Sequence, residues 1–134
     1  MSDEFFGPPN KMLTKTQSYR DLLVWQKGIE LAKLLYRLTA QLPSDERFGL
    51  ISQIRRAAVS VPSNIAEGQA RRTTGEFIRF ISHAEGSAAE LDTQVYLAVE
   101  LGLITAPETV ACRHLIDEIR RMLNELRRSL AMHS

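Results

Sequence analysis

Along most of the chain an apolar side chain returns every third or fourth position. From Asp21 onward, Val24, Gly28, Leu31, Leu35, Leu38 and Leu42 advance in steps of 4 and 3, the seam of a helix packed nearly parallel to its neighbours. The spacing predicts a first helix to about Leu42, stopped by Pro43. Ser44, Asp45 and Glu46 then offer a cap and negative charge to the positive end of the next helix. A second seam, Ile51, Ile54, Ala58, Val61 and Ile65, contains Pro62. Proline removes the amide that would bond the Ala58 carbonyl, at an interior cost of about 3 kcal/mol, so a kink or break is predicted near Val59 to Ser63. Ser60, Ser63 and Asn64 carry short polar groups able to bond the freed backbone. Gly68 suits the left-handed residue that ends a helix.

Thr73 and Glu76 form a capping-box pair, which starts a third helix there. Its seam is Phe77, Phe80 or Ile81, Ala84, Ala88, Leu91, Val95 and Ala98, running to about Leu101 and closed by Gly102. Thr105 with Glu108 repeats the box, with Pro107 in the first turn, where a missing amide costs nothing. Cys112, Ile116, Ile119, Leu123, Leu126 and Leu130 form the seam of a fourth helix. The connections near 43–47, 68–73 and 102–105 are too short for a crossover. The expected architecture is all-α, an antiparallel up-down-up-down four-helix bundle over 19–131 with helix 2 kinked near Pro62. Residues 1–18, with Gly7-Pro8-Pro9 and no apolar period, read as a flexible N-terminal tail.

The chain has 134 residues, 44% of them apolar, enough for one core without a metal or a disulfide. Cys112 is the single cysteine, the N-terminus is acidic rather than signal-like, and no apolar run approaches the roughly 18 residues of a membrane span. A cytoplasmic protein with no membrane anchor is expected. Net charge is only +1, but its distribution is uneven. Between Arg47 and Arg72 stand five arginines (47, 55, 56, 71 and 72) against Glu67; between Thr73 and Thr105, Arg79 stands against Glu76, Glu85, Glu90, Asp92 and Glu100. Two readings follow: complementary charge on adjacent helices that steadies their pairing or a subunit contact, or a phosphate-facing basic patch.

Tests for chemistry come out negative. A di-iron centre in a bundle needs paired Glu-x-x-His, yet the residues three before His83, His114 and His133 are Phe80, Ala111 and Leu130. Phosphate-loop, dinucleotide, nucleophile-elbow and zinc-protease motifs are absent from the sequence. Cys112 lies on a seam without a positioned base. A non-enzymatic protein without cofactor or metal is expected. The unusual features are Arg55-Arg56 within helix 2, the Ser63 to Gly68 stretch after the proline, and Gly86-Ser87 inside helix 3. There a glycine costs about 1 kcal/mol relative to alanine and points to a close backbone approach by helix 2. Asn64 and Glu67 serve either the broken helix and a nearby arginine, or a ligand. Trp25 is a core residue or a contact to another chain or the tail.

The segments Asp21-Leu22-Leu23-Val24-Trp25-Gln26-Lys27, Gln53 to Ala58, Val61-Pro62-Ser63-Asn64-Ile65-Ala66-Glu67-Gly68, Phe80 to Ala84, Gly86-Ser87 and Glu90 together closely resemble the four helix bundle protein family. Its founding members are encoded in intervening sequences of bacterial 23S ribosomal RNA genes. The likeness covers about residues 19–130. It implies a bundle that assembles into a ring, most often a homopentamer, with no known catalytic residues. A similar bundle is the accessory variability protein of diversity-generating retroelements, where a basic surface engages nucleic acid and reverse transcriptase. Carried to this chain, the resemblance puts weight on Arg55, Arg56, Arg71 and Arg72 as contacts to RNA or DNA. The competing expectation is a scaffold or adaptor that docks a protein partner, its charges serving the subunit interfaces.

Overall fold

In the computed structural model, which describes residues 18–133, every residue assigned to the four seams is buried, from Val24 in the first to Leu130 in the last. Four long helices carry all of them except Leu42 and Ile51, which lie in the connection between the first two: α1 Leu23–Thr39, α2 Ser52–Gln69, α3 Thr74–Glu100 and α4 Val110–Met132, with no strand among the described residues. The main packing partners of α1 are α2 and α4, and α3 packs on both α2 and α4, around one shared core. Leu31, Leu35, Ile54, Ile65, Ile81, Leu91, Ile116 and Leu123 are fully buried there, and each such side chain contributes about 1.5–3 kcal/mol of transfer free energy. The expected tail lies outside the described residues except for Ser18, whose hydroxyl accepts the Arg20 amide and caps a short turn, Tyr19–Asp21, ahead of α1.

The ends of the helices follow from local chemistry. α1 stops at Thr39, short of Leu42, because the backbone ahead of Pro43 tightens: Gln41 and Leu42 donate to the carbonyls of Leu38 and Thr39. Chain direction then changes through a turn at Ser44–Glu46 and a wider turn at Arg47–Ile51, in which Gly49 leaves helical geometry and Glu46 Oε1 accepts the Leu50 amide at 3.3 Å. Thr73 Oγ1 accepts the Glu76 amide at 3.1 Å and starts α3 where the capping box predicts. Gly102, at φ +76°, closes α3 in the left-handed region while Leu103 donates to Ala98 and Gly102 to Val99, satisfying carbonyls the helix leaves open. Before α4, Glu108 Oε1 accepts both the amide and the hydroxyl of Thr105, at 2.9 and 3.0 Å, and these bonds hold its carboxyl below the usual range.

α2 departs from expectation at its glycine and α3 at its own. The helix runs without a break from Ser52 to Gln69, through Pro62. Pro62 itself is buried beside Gly28 of α1, where an added Cβ would meet the ring at 3.4 Å. Gly68 is not the left-handed terminator: it lies inside α2, buried, and the helix ends beyond it with Ala70 in right-handed geometry. Its role is steric, because a Cβ at Gly68 would come within 2.7 Å of Phe80 Cβ and 3.0 Å of the Phe77 ring. Gly86, conversely, marks no close approach; a Cβ there would find nothing within 4 Å.

These two glycines therefore predict opposite outcomes. Gly68→Ala forces α2 off α3 and lowers stability by about 1–3 kcal/mol, whereas Gly86→Ala raises it by up to about 1 kcal/mol through helix propensity. Urea denaturation of the two variants against the parent chain checks both signs.

Candidate nucleic-acid interface

Helix α2 and the turn that follows it divide the four arginines singled out from the sequence into two pairs at opposite ends. Sixteen residues separate Arg55 from Arg71, about 24 Å along a helix, so they do not form one cluster. Arg55 is half-buried and spent within the chain: Nε donates to Thr39 Oγ1 at 2.8 Å, Nη2 donates to the Tyr36 carbonyl at 3.1 Å, and the guanidinium lies 4.5 Å from the Tyr36 ring centroid. It ties α2 to the last turn of α1. Arg56, the next residue, is exposed on the rim of a surface groove with Tyr36 and Val59.

At the other end the α2–α3 turn builds a cationic cluster around Phe80. The close approach at Gly68 sets the Phe80 side chain under the turn, and Arg71 lies over its ring at 4.6 Å, with Arg79 at 5.3 Å. His83 meets the ring edge-on at 5.8 Å. Arg71 also donates to Glu67 Oε2 at 2.9 Å, one turn back on α2. Its Nε is buried with no hydrogen-bond partner among the described residues, so the ring face supplies the compensation, an interaction worth about 0.5–2 kcal/mol. Arg72, Arg79 and His83 are exposed, and neither of these two arginines forms an ion pair among the described residues. Arg71 and Arg72 are legible as adjacent cations; Arg79 and His83, four apart and so on one face of α3, join them only through Phe80.

The acidic quarter does not neutralise the basic one. Among the described residues no ion pair joins α2 to α3. Glu85 instead takes Arg127 of α4 at 2.7 Å, and Asp92 takes Arg120 at 3.6 Å. Asn124 Oδ1 further orients Arg127, accepting Nη2 at 2.6 Å. Individually such half-exposed pairs contribute about 0–1 kcal/mol; collectively they commit two of the α3 acids to α4.

The remaining residues singled out from the sequence hold the scaffold. Asn64 Nδ2 donates to the carbonyl and the hydroxyl of Ser60, both at 2.8 Å, and Ser87 Oγ donates to Ser60 Oγ at 2.8 Å, a polar chain linking α2 to α3 one turn from Pro62. Ser63 is exposed, and Glu90 accepts from Gln94 at 3.2 Å. Trp25 packs on the core and meets Tyr19 edge-on at 5.3 Å, so the chain just ahead of α1 covers it. Cys112 is buried, its thiol donates to the Thr109 carbonyl at 3.3 Å, and burial pushes its pKa up, the opposite of what a nucleophile needs. Glu118, beside His114 and Asp117 in sequence, pairs with Lys27 of α1 at 3.3 Å. No described helix is long and apolar enough to cross a membrane.

The separate duties of the two arginine pairs are measurable. Arg55→Ala removes two cross-helix bonds and lowers stability by about 1–2 kcal/mol, while Arg72→Ala leaves it within about 0.5 kcal/mol; urea denaturation distinguishes them, and equal losses would contradict the division.

Comparison with curated proteins returned no match. A family model, 23S rRNA-intervening sequence protein, matches residues 20–125, which takes in α1, α2, α3 and most of α4 together with the Phe80 cluster. With most of its length matched and its four helices in place, the chain belongs to the 23S rRNA-intervening sequence protein family.

Proposed function

We propose that the protein is a non-enzymatic, homo-oligomeric bundle that binds the phosphate backbone of RNA or DNA through the cationic end formed by Arg71, Arg72 and Arg79, with the His83 ring beside them. The observation that carries this reading is the pair of exposed arginines, Arg72 and Arg79, that stand without acidic partners among the described residues beside a guanidinium fixed on an aromatic ring. Fixing Arg71 on Phe80 lowers the entropy lost when the surface meets a phosphate, and Arg72 and Arg79 supply charge free to displace counterions. Assembly into a ring, a pentamer on the family resemblance, multiplies this charge by symmetry. The cytoplasm, where a lone buried thiol such as Cys112 stays reduced, is the compartment that fits.

The bundle is read as up-down-up-down. Contacts that advance along one helix and retreat along the next support this order: Gly28 to Pro62 and Thr39 to Arg55; Ser60 to Ser87 and Gly68 to Phe80; Glu85 to Arg127 and Asp92 to Arg120. A bend in α2 at Pro62 belongs to the same reading, since the Ala58 carbonyl lacks its helical donor. The scaffold reading draws on a different observation, Arg56 among exposed apolar side chains, and applies to that end of α2 alone.

Fluorescence titration of the full chain against a structured RNA at about 50 and about 200 mM salt tests the assignment. Affinity is expected to fall at least about tenfold between the two, and Arg72→Ala with Arg79→Ala to lower the log–log salt slope by about 0.7–0.9 per lost contact. Absence of binding at low salt, or binding indifferent to salt, would overturn it.

A further inference from the structure

Two exposed apolar grooves of unlike charge lie at the end of the bundle away from Phe80. On α1 and α2, Tyr36 and Val59, 43% and 44% exposed, border a groove of about 560 Å³ with Ile51 beneath and Arg55 and Arg56 along it. Lys33 and Arg37 continue the same side through Tyr36, and among the described residues no acid lines either hollow. On α3 and α4, Tyr96, 67% exposed, and Val99 line a groove of about 590 Å³ with Asp92 and Glu100, and Leu97 on α3 and Leu101 just past its end are exposed nearby. One cation, Arg113, borders this second groove and donates to its own Thr109. Asp92 already pairs with Arg120 of its own chain, which leaves Glu100 as this groove's acid without an ion pair among the described residues. Exposed apolar side chains gathered this way and rimmed by polar groups mark protein contacts.

We infer that the two grooves are the two halves of one subunit contact: the basic α1–α2 groove of one protomer receives the acidic α3–α4 face of a second copy, with Tyr96 against Tyr36 and Val59, and Glu100 against Arg56. This rests on the homo-oligomer part of the reading above and assigns its surfaces. Charge selects the pairing. Groove against identical groove would bring Arg56 onto Arg56, or Glu100 onto Glu100, whereas the mixed pairing joins opposite signs over apolar surface. The ordering of helices proposed above puts both grooves at similar heights, because Arg55 lies level with Asp92 when Ser60 faces Ser87. Different patches on the two partners make the contact heterologous, so every added subunit presents a fresh groove, and the assembly grows head to tail until it closes. Arg56 is then covered in the assembly and the Arg71 end stays open, so the two arginine pairs serve different partners.

Sedimentation velocity on the full chain tests this. Arg56→Glu and Glu100→Arg, both exposed positions, are each expected to raise the dissociation concentration at least about tenfold, and the double reversal to restore it. A chain closed on its basic groove (Arg56→Glu with Val59→Glu) and one closed on its acidic face (Tyr96→Arg with Glu100→Arg) should each be monomeric and, mixed, form a 1:1 dimer and nothing larger. Circular dichroism confirms that the variants remain helical. A parent chain monomeric at every concentration overturns both self-association and this contact. A parent oligomer indifferent to the single reversals, or variants that form no mixed dimer, overturns the face assignment alone. Dissociation on deleting residues 2–17, with the reversals silent, would overturn it in favour of the N-terminal segment as occupant of the groove.

Discussion

Helix α2 must lie close enough to α3 at their turn for Phe80 to fit beneath it, and one hydrogen atom at Gly68 decides whether it does. Any side chain there would strike Phe80 Cβ at 2.7 Å, near the backbone, where little can yield. With the two helices closed, the Phe80 ring becomes a platform for Arg71 and Arg79. The order of cause therefore runs from a missing Cβ to helix spacing, from helix spacing to ring position, and from the ring to the placement of cations. The polar chain Asn64–Ser60–Ser87 steadies the same pair of helices farther along, beside the proline that takes a hydrogen bond out of α2.

Charge is partitioned rather than merely balanced. A net charge of +1 conceals an arrangement in which Glu85 and Asp92 are spent on α4, Glu67 on Arg71, and Arg55 on the end of α1. What is left over is directional: Arg72 and Arg79 without an ion pair among the described residues by the α2–α3 turn, and toward the other end one apolar groove that carries Arg56 and another that carries Glu100. A protein of this composition has no need of a strongly basic sequence to present a basic surface, provided its acids are engaged elsewhere.

The fold was legible because burial imposes a period: Leu31, Leu35, Ile116 and Leu123 are inside since steps of three and four put them on one face, and no loop chemistry interferes. The cap at Thr73 was legible for the same local reason, whereas at Thr105 only the reach of Glu108 back to the Thr105 amide matches the box: the Thr105 hydroxyl donates to that carboxylate instead of accepting an amide. Glycine was not. Gly68 and Gly86 look alike in a sequence, yet one is pressed against Phe80 and the other faces open space, a difference made by tertiary packing. Pro62 likewise left the helix uninterrupted. At the candidate site, Arg71 and Arg72 stood out as adjacent charges, but Arg79 and His83 did not, because their membership depends on where one phenylalanine lies in space. The pairing of α3 acids with α4 arginines was hidden too: charge runs reveal sign along the chain, not which neighbour answers it.

Ultraviolet cross-linking of a structured RNA to the full chain, read peptide by peptide with mass spectrometry, tests the central claim most directly. Cross-links concentrated in residues 70–83, around Phe80, are the predicted result. Cross-links confined to the Arg56 end or to α4, with none around Phe80, would contradict it.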